Sequence, residues 1–350
     1  MGGQPRLSSL YYRQPRYGSA RNDFPAEQIR LFGYARQALL LGLRSCGLKP
    51  GSRILFPEFI CRDLLSVAFE LGAQPVFYPV DERFRPSLDP MQWPAAEAVV
   101  AVNYFGFSQP LGPFQLYCHN SQAVLVEDNA HGYLSQESSG EWLGFRGDIG
   151  IFSFRKSIPT GLGAGLYLKP GIAVLQEGLA CSDSRLFVHR GRRRCRALFG
   201  SLLSSVPIAA LAVSAILSRR RGGLSGPWLT DSPECEQHVP ESINRGLLIR
   251  RKISAIDIQL EVDRRRQLYD RLSQLSAEVS GISSVFGGLD SFTVPYMFVF
   301  NPDNDKSLAA FTKILTVQGL RYVRWPDLPL SVRENCPDFY KNIWAVPFLW

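Results

Sequence analysis

Several absences narrow what this chain can do. It has no Cys-x-x-C pair: its seven cysteines, at 46, 61, 118, 181, 195, 235 and 336, are scattered and odd in number. That pattern gives no zinc-finger spacing and fits free thiols in a reducing, cytoplasmic setting better than a secreted disulfide framework. No G-x-S-x-G elbow is present, so a serine hydrolase has no nucleophile to start from. The four histidines, 119, 131, 189 and 238, stand alone, and no cluster has metal-ligand spacing. The N-terminus, "MGGQPRLSSLYYRQPRYGSARNDF", has no apolar region of the kind a secretory signal needs, and its sixth residue is Arg where a myristoylation site takes Ser or Thr.

The charge balance excludes less than it first suggests. A net charge of +8, from 39 Lys and Arg against 31 Asp and Glu, invites a nucleic-acid reading. The excess is concentrated in "RGRRRCR" (190–196), "SRRRGG" (218–223) and "DRRRQ" (263–267), with no RNP-like signature beside it, so no nucleic-acid partner is expected. Hydrophobic residues at 45% and charged residues at 20% describe a soluble globular chain. At 350 residues it is long enough for one large domain and a smaller one.

From residue 31 to about 170, helical and strand patterns alternate. "GYARQALLLGLRSCG" has helical spacing and stops at Gly47, and "RDLLSVAFELG" is a second helix closed by Gly72. Between and after them come short, largely apolar runs: "SRILFP", "QPVFYPV", "EAVVAVNYF", "AVLVED", "DIGIFSF" and "GAGLYLK". Strands buried on both faces read this way, and the helices between them imply parallel connections. The expected architecture is α/β, with a mostly parallel sheet whose ligands sit beyond the carboxyl ends of the strands. After about residue 231 the pattern changes to one long amphipathic helix, "IRRKISAIDIQLEVDRRRQLYDRLSQLSAEV", then a strand "SFTVPYMFVF", a helix "DKSLAAFTKILTVQG" and a strand "LRYVRWP". The expected domains are an N-terminal arm at 1–30, a large α/β domain at 31–230 and a smaller C-terminal α+β domain at 231–350.

The segment 197–218 carries no charge and lies between two Arg clusters, inside an insert spanning 190–222. Its length would cross a bilayer as a helix, but Pro207 interrupts it and both flanks are basic. Two expectations stay open for it, a helix pair buried against the main domain or a second subunit, and peripheral membrane contact.

Chemistry concentrates at two strand ends. "VLVEDNAHGY" (124–133) climbs through apolar residues to Asp128 and His131, and "DIGIFSFRKSIPTGLGAG" ends its strand just before Lys156. A Lys amine can form a Schiff base with an aldehyde, and pyridoxal phosphate (PLP) acts as an electron sink when a carboxylate keeps its ring nitrogen protonated. Asp128 and Lys156 suit those two tasks; taken as a lone pair, they equally suit a helix cap and a solvated lysine. The glycines of "TGLGAGLYL" do not form a G-x-G-x-x-G dinucleotide loop and more simply let the backbone pass close to a ligand or a partner chain.

The ordered set of motifs resembles the DegT/DnrJ family of fold-type-I PLP enzymes, the sugar aminotransferases. "VEDNAHGY" is similar to its E-D-x-A-Q/H element, "FSFRKSIPTGLGAGLYL" to its S-F…K…G-E-G-G element, and "LRSCGLKPGSRILFPEFICRDLLSVAFELGAQPVFYPVD" with "VVAVNYFGF" to the run that precedes them. The resemblance implies a large domain built on a mostly parallel sheet, a smaller C-terminal α+β domain, and pyridoxal 5'-phosphate as cofactor. It gives Asp128 the pyridine nitrogen, Lys156 the cofactor aldehyde and the proton transfers, His131 the neighbourhood of the phenolic oxygen, and Ser153 with Arg36 and Gln37 the phosphate. Cys61 takes the place of an aromatic that stacks on the ring. Leu162 stands in for the family's Glu, Ala164 replaces its second Gly, and the G-x-N-x-R element is not evident, Asn244 being its nearest substitute. The implied activity moves an amino group from a donor such as glutamate to a keto sugar, nucleotide-linked, for a polysaccharide or glycoside, in a homodimer. The alternative is a non-catalytic relative that kept the scaffold for binding or membrane-associated assembly.

Overall fold

The computed structural model describes residues 7–11, 23–158, 160–175, 233–240 and 246–348. The insert at 190–222 and Asn244 therefore lie outside the described residues. Two sheets organise the chain. The larger has seven strands, β1 (Arg30–Phe32), β2 (Arg53–Pro57), β3 (Gln74–Tyr78), β4 (Ala98–Val102), β5 (Val124–Asn129), β6 (Ile149–Phe152) and β7 (Ala164–Leu168), in the order β1-β7-β6-β5-β4-β2-β3. Strands β2 to β6 are mutually parallel. β4, "AVVAV", is buried along its whole length, as expected of a strand covered on both faces.

Two pairings at one edge of this mostly parallel sheet are antiparallel. β7 runs antiparallel to β6, and β1 antiparallel to β7. A parallel return needs a crossover of a dozen or more residues, and the link from Phe152 to Ala164 holds only the short helix α5 (Phe154–Ser157), so the chain turns back instead.

Helix α2 (Ala35–Ser45) presents Gly42 to the sheet, where an added Cβ would lie 3.0 Å from both Ile149 and Leu166. That glycine lets the helix lie close against β6 and β7. "RDLLSVAFELG" begins as a 3-10 turn over Arg62–Leu65 and becomes α-helical only at Ser66–Leu71, stopping at Gly72 in the left-handed region. A helix over Gly112–Ser121, weakly patterned in sequence, joins β4 to β5.

The second sheet is antiparallel, ordered β10-β11-β9-β8, from β8 (Ile282–Ser284), β9 (Met297–Pro302), β10 (Val323–Arg324) and β11 (Trp344–Pro347). The long amphipathic pattern before it is two helices, Gly246–Ala255 and Ile258–Ala277, because Asp257 leaves helical geometry and caps the second through Oδ1, which accepts the Leu260 N–H at 3.1 Å. Asn304 caps the helix Asp305–Val317 in the same manner. Leu268, Tyr269 and Leu272 pack with Phe298, Phe300, Phe311 and Leu315 into a second core. Leu7, Leu10 and Tyr11 from the N-terminal segment complete that core. Among the described residues, no helix is long and apolar enough to cross a membrane, and no group of three or more His, Cys, Asp or Glu could hold a metal ion.

Candidate active site

Strand order reverses between β2 and β4, with the chain stepping outward from β2 to β3 on one side and from β4 to β5 on the other. A crevice opens at the carboxyl ends of strands wherever such a reversal occurs. Here Cys61 after β2, Tyr104 after β4, Asp128 and His131 at the end of β5, and Ser153 and Lys156 after β6 all line one cleft.

Asp128 pairs in register with Val102 of β4 and Ile151 of β6, which sets its height in the sheet. Its side chain is 93% buried, being 7% exposed, and Oδ1 accepts the Ala130 N–H at 2.9 Å. Burial pushes the carboxyl above its ordinary value, with the Lys156 charge pulling the other way. Strand alternation sends the neighbouring Glu127 to the opposite face, where the Arg146 Nε and Nη2 donate to its Oε1 at 2.9 and 2.5 Å. Asn103 donates to Glu127 Oε1 at 2.8 Å, so the ends of β4 and β5 are tied together behind the cleft.

Lys156 sits on α5, whose start after Ser153 is fixed by the Lys156 N–H donating to the Ser153 carbonyl at 2.9 Å. Its Nζ is 3.1 Å from His131 Nε2. The other ring nitrogen of His131 accepts the Phe105 N–H at 3.2 Å. The imidazole is stacked between Phe105 and Tyr296, with ring centroids 5.6 and 4.6 Å away, and Trp325 meets its edge at 5.5 Å. Burial, then the Lys156 charge, holds His131 well below its ordinary value, so the ring is neutral at physiological pH.

The amino end of α2 enters the cleft through Tyr34, Ala35 and Arg36. Arg36 is committed to neighbours: Nη1 donates to the Cys235 carbonyl at 3.2 Å, and Nε lies 3.8 Å from an Asp63 carboxylate oxygen. Gln37, expected at a phosphate, does not line the cleft. Its Oε1 accepts the Tyr34 N–H at 3.2 Å and its Nε2 donates to the Pro240 carbonyl at 2.7 Å, which makes it a capping residue of the helix. The other six expected residues, Arg36, Cys61, Asp128, His131, Ser153 and Lys156, line this one cleft.

Tyr34, Asp63, Arg155 and Trp325 also line the cleft and were not singled out from the sequence. Trp325 arrives from the second sheet region, so no local pattern marks it. Arg155 carried a signal, a second cation adjoining the candidate lysine.

Comparison with known proteins bears on the same stretch. Residues 33–169 match the DegT/DnrJ/EryC1/StrS aminotransferase family. The UDP-N-acetyl-3-dehydro-alpha-D-glucosamine 3-aminotransferase of Acidithiobacillus ferrooxidans is 28% identical over 121 residues, which are 33% of this chain and 32% of that protein. The spore coat polysaccharide biosynthesis protein SpsC of Bacillus subtilis is 29% identical over 133 residues, 36% of this chain and 34% of that protein. The matched part spans about a third of the length of these curated relatives. Two solved structures share the fold across nearly the whole chain. The aminotransferase TlmJ from Streptoalloteichus hindustanus has a TM-score of 0.60 at 21% identity, covering 99% of this chain and 86% of that one. The sugar aminotransferase CalS13 from Micromonospora echinospora has a TM-score of 0.59 at 15% identity, covering 99% and 93%. The motif residues gathered at one strand-end cleft all lie within residues 33–169, the stretch that matches the DegT/DnrJ/EryC1/StrS aminotransferase family.

Proposed function

We propose that the chain is a PLP-dependent aminotransferase that takes an amino group from an amino acid such as glutamate and delivers it to a nucleotide-linked keto sugar. The carrying observation is that buried Asp128 and the Lys156 amine enter one cleft at the strand reversal. The residues present fit the cofactor. A carboxyl that burial disfavours as an anion is stabilised by a positively charged ring nitrogen against it. Ser153, the amino end of α2 and Arg36 supply a hydroxyl, helix-terminal N–H groups and a cation for a phosphate. PLP supplies an aldehyde that takes up the amino group and a ring that delocalises the electron pair left when a proton departs.

The chain's own residues do the rest. Asp128 would keep the ring nitrogen protonated. Lys156 would hold the cofactor's aldehyde carbon and would serve as the base and acid for the proton at the donor's α-carbon. His131, neutral and wedged between Phe105 and Tyr296, keeps a fixed polar edge against Lys156 without adding charge. Trp325 and Tyr104 wall the cleft with apolar surface and exclude water. The sugar acceptor and the setting in polysaccharide or glycoside biosynthesis rest on what the named relatives do. Pairing of two chains belongs to the same proposal, and sedimentation of the purified protein reads it.

The test is chemical trapping. The purified protein mixed with PLP and then borohydride should carry the reduced cofactor on the peptide containing Lys156, as read by mass spectrometry. Absence of that adduct, with the folded protein intact, sinks the proposal and leaves a binding scaffold.

A further inference from the structure

Three cations line the cleft, Arg36, Arg155 and Lys156, and their surroundings differ. Arg36 has the Asp63 carboxylate and two backbone carbonyls, from Asp63 and Cys235. Lys156 has His131. Among the described residues Arg155 has only an aromatic face: its guanidinium carbon lies 5.9 Å from the centroid of the Tyr34 ring. Its buried Nε has no hydrogen-bond partner among the described residues. A buried guanidinium N–H without an acceptor is costly, and the planar fork matches a carboxylate through two parallel hydrogen bonds.

Position narrows which anion belongs there. An α-amino acid carries its carboxylate on the same carbon as the reacting amine, so the residue that reads the carboxylate has to stand beside the lysine that handles that carbon. Arg155 is the residue before Lys156, and both open into the same cleft. The cation–π contact with Tyr34 places the guanidinium over the ring without using its N–H groups.

We propose that Arg155 is the anion-recognition residue of the cleft and binds the carboxylate of the amino donor. The inference rests on the aminotransferase reading of the site and names the group that selects an amino acid over a simple amine. Arg155 then governs donor affinity, while the phosphate is held elsewhere, at Ser153 and the amino end of α2.

Calorimetric titration of glutarate, a dicarboxylate without an amine, into the full-length protein reads this without cofactor or turnover. Glutarate should bind the wild type and bind Arg155→Gln about 10- to 100-fold more weakly, the range expected for hydrogen bonds to a charged group. Arg155→Lys should recover part of the loss. Inorganic phosphate and PLP should bind wild type and Arg155→Gln alike. Equal glutarate binding in wild type and Arg155→Gln, or no glutarate binding at all, overturns the proposal, and so does a selective loss of phosphate or PLP affinity in the variant. Failure of the wild type to bind PLP while glutarate still depends on Arg155 counts against the aminotransferase reading alone.

Discussion

Lys156 Nζ lies 3.1 Å from His131 Nε2, and His131 Nδ1 accepts the backbone N–H of Phe105 at 3.2 Å. Because Nδ1 accepts, the proton of the neutral ring is assigned to Nε2, which can donate to Lys156 only when that amine is uncharged. Phe105 itself has a left-handed backbone, φ 55°, an unfavourable conformation for a bulky residue, and its carbonyl accepts the Tyr296 N–H at 2.6 Å. A strained turn pinned at both peptide groups thus sets the tautomer of the residue beside the Lys156 amine.

The buried imidazole has a folded-state pKa well below the ordinary 6.5. Below about pH 6.5 the unfolded chain takes up a proton that the folded chain refuses, so stability falls as pH drops, by up to about 1.4 kcal/mol per unit for this group. His131→Gln, which keeps an acceptor for the Phe105 N–H, should flatten the decline between pH 6.5 and 5. Urea unfolding of both proteins across that range measures it, and equal slopes would refute it.

Asp128 titrates in the opposite sense. Its folded-state pKa is raised above the ordinary 3.8, chiefly by burial. As pH climbs past 3.8 the unfolded chain ionises first, so stability declines until the raised value is passed and stays reduced at neutral pH. Asp128→Asn retains an oxygen for the Ala130 N–H and should stabilise the cofactor-free protein at pH 7, with the gain gone below about pH 3.5. The same variant should hold PLP more weakly, a site-for-stability exchange seen by thermal unfolding with and without PLP.

Arg265 connects the helix Ile258–Ala277 to the lysine turn. It is fully buried, with Nε donating to Glu261 Oε1 at 2.7 Å and Nη2 to the carbonyl of Ser157, the residue after Lys156, at 2.6 Å. Arg264 also pairs with Glu261, so Arg265→Met leaves the carboxylate one partner but strips the Ser157 carbonyl. Removing one member of a buried network should cost about 3–5 kcal/mol. Arg265→Lys, restoring charge without the fork, should recover part of the stability but not the rate of borohydride trapping at Lys156.

Two glycines with similar backbones should respond differently to alanine. Gly106 (φ 97°) lies where an added Cβ would stand 2.3 Å from the Val294 carbonyl oxygen, whereas Gly51 (φ 87°) has nothing within 4 Å. Gly51→Ala carries only the left-handed backbone penalty of about 1–2 kcal/mol. Gly106→Ala adds a clash with main chain and should lose clearly more, with His131 displaced through Phe105. Denaturant midpoints of the pair separate the two effects.

The legible parts of this molecule were those encoded locally. The apolar runs of β2, β4, β5 and β6 announce a buried parallel sheet, and Asp128 and Lys156 mark the ends of two of them. β7 reads the same way in sequence, yet its direction depends on the length of the link before it rather than on its own residues. The break at Asp257 is hidden because helical periodicity resumes on the same face immediately afterwards. Gln37 shows the limit of position-by-position inference: a polar residue at a helix start can serve the helix instead of a ligand. Trp325 and Arg265 reach the cleft region from distant chain, through packing that no short window records.

Asp128 and Lys156 together are proposed to make a PLP site. Its most direct measurement is the visible absorption of the protein with added PLP, beside a Lys156→Ala control, before and after glutamate. The expected result is a protein-bound cofactor band in the wild type that requires Lys156 and is lost when glutamate is added. A wild-type spectrum identical to that of Lys156→Ala with free PLP would contradict it.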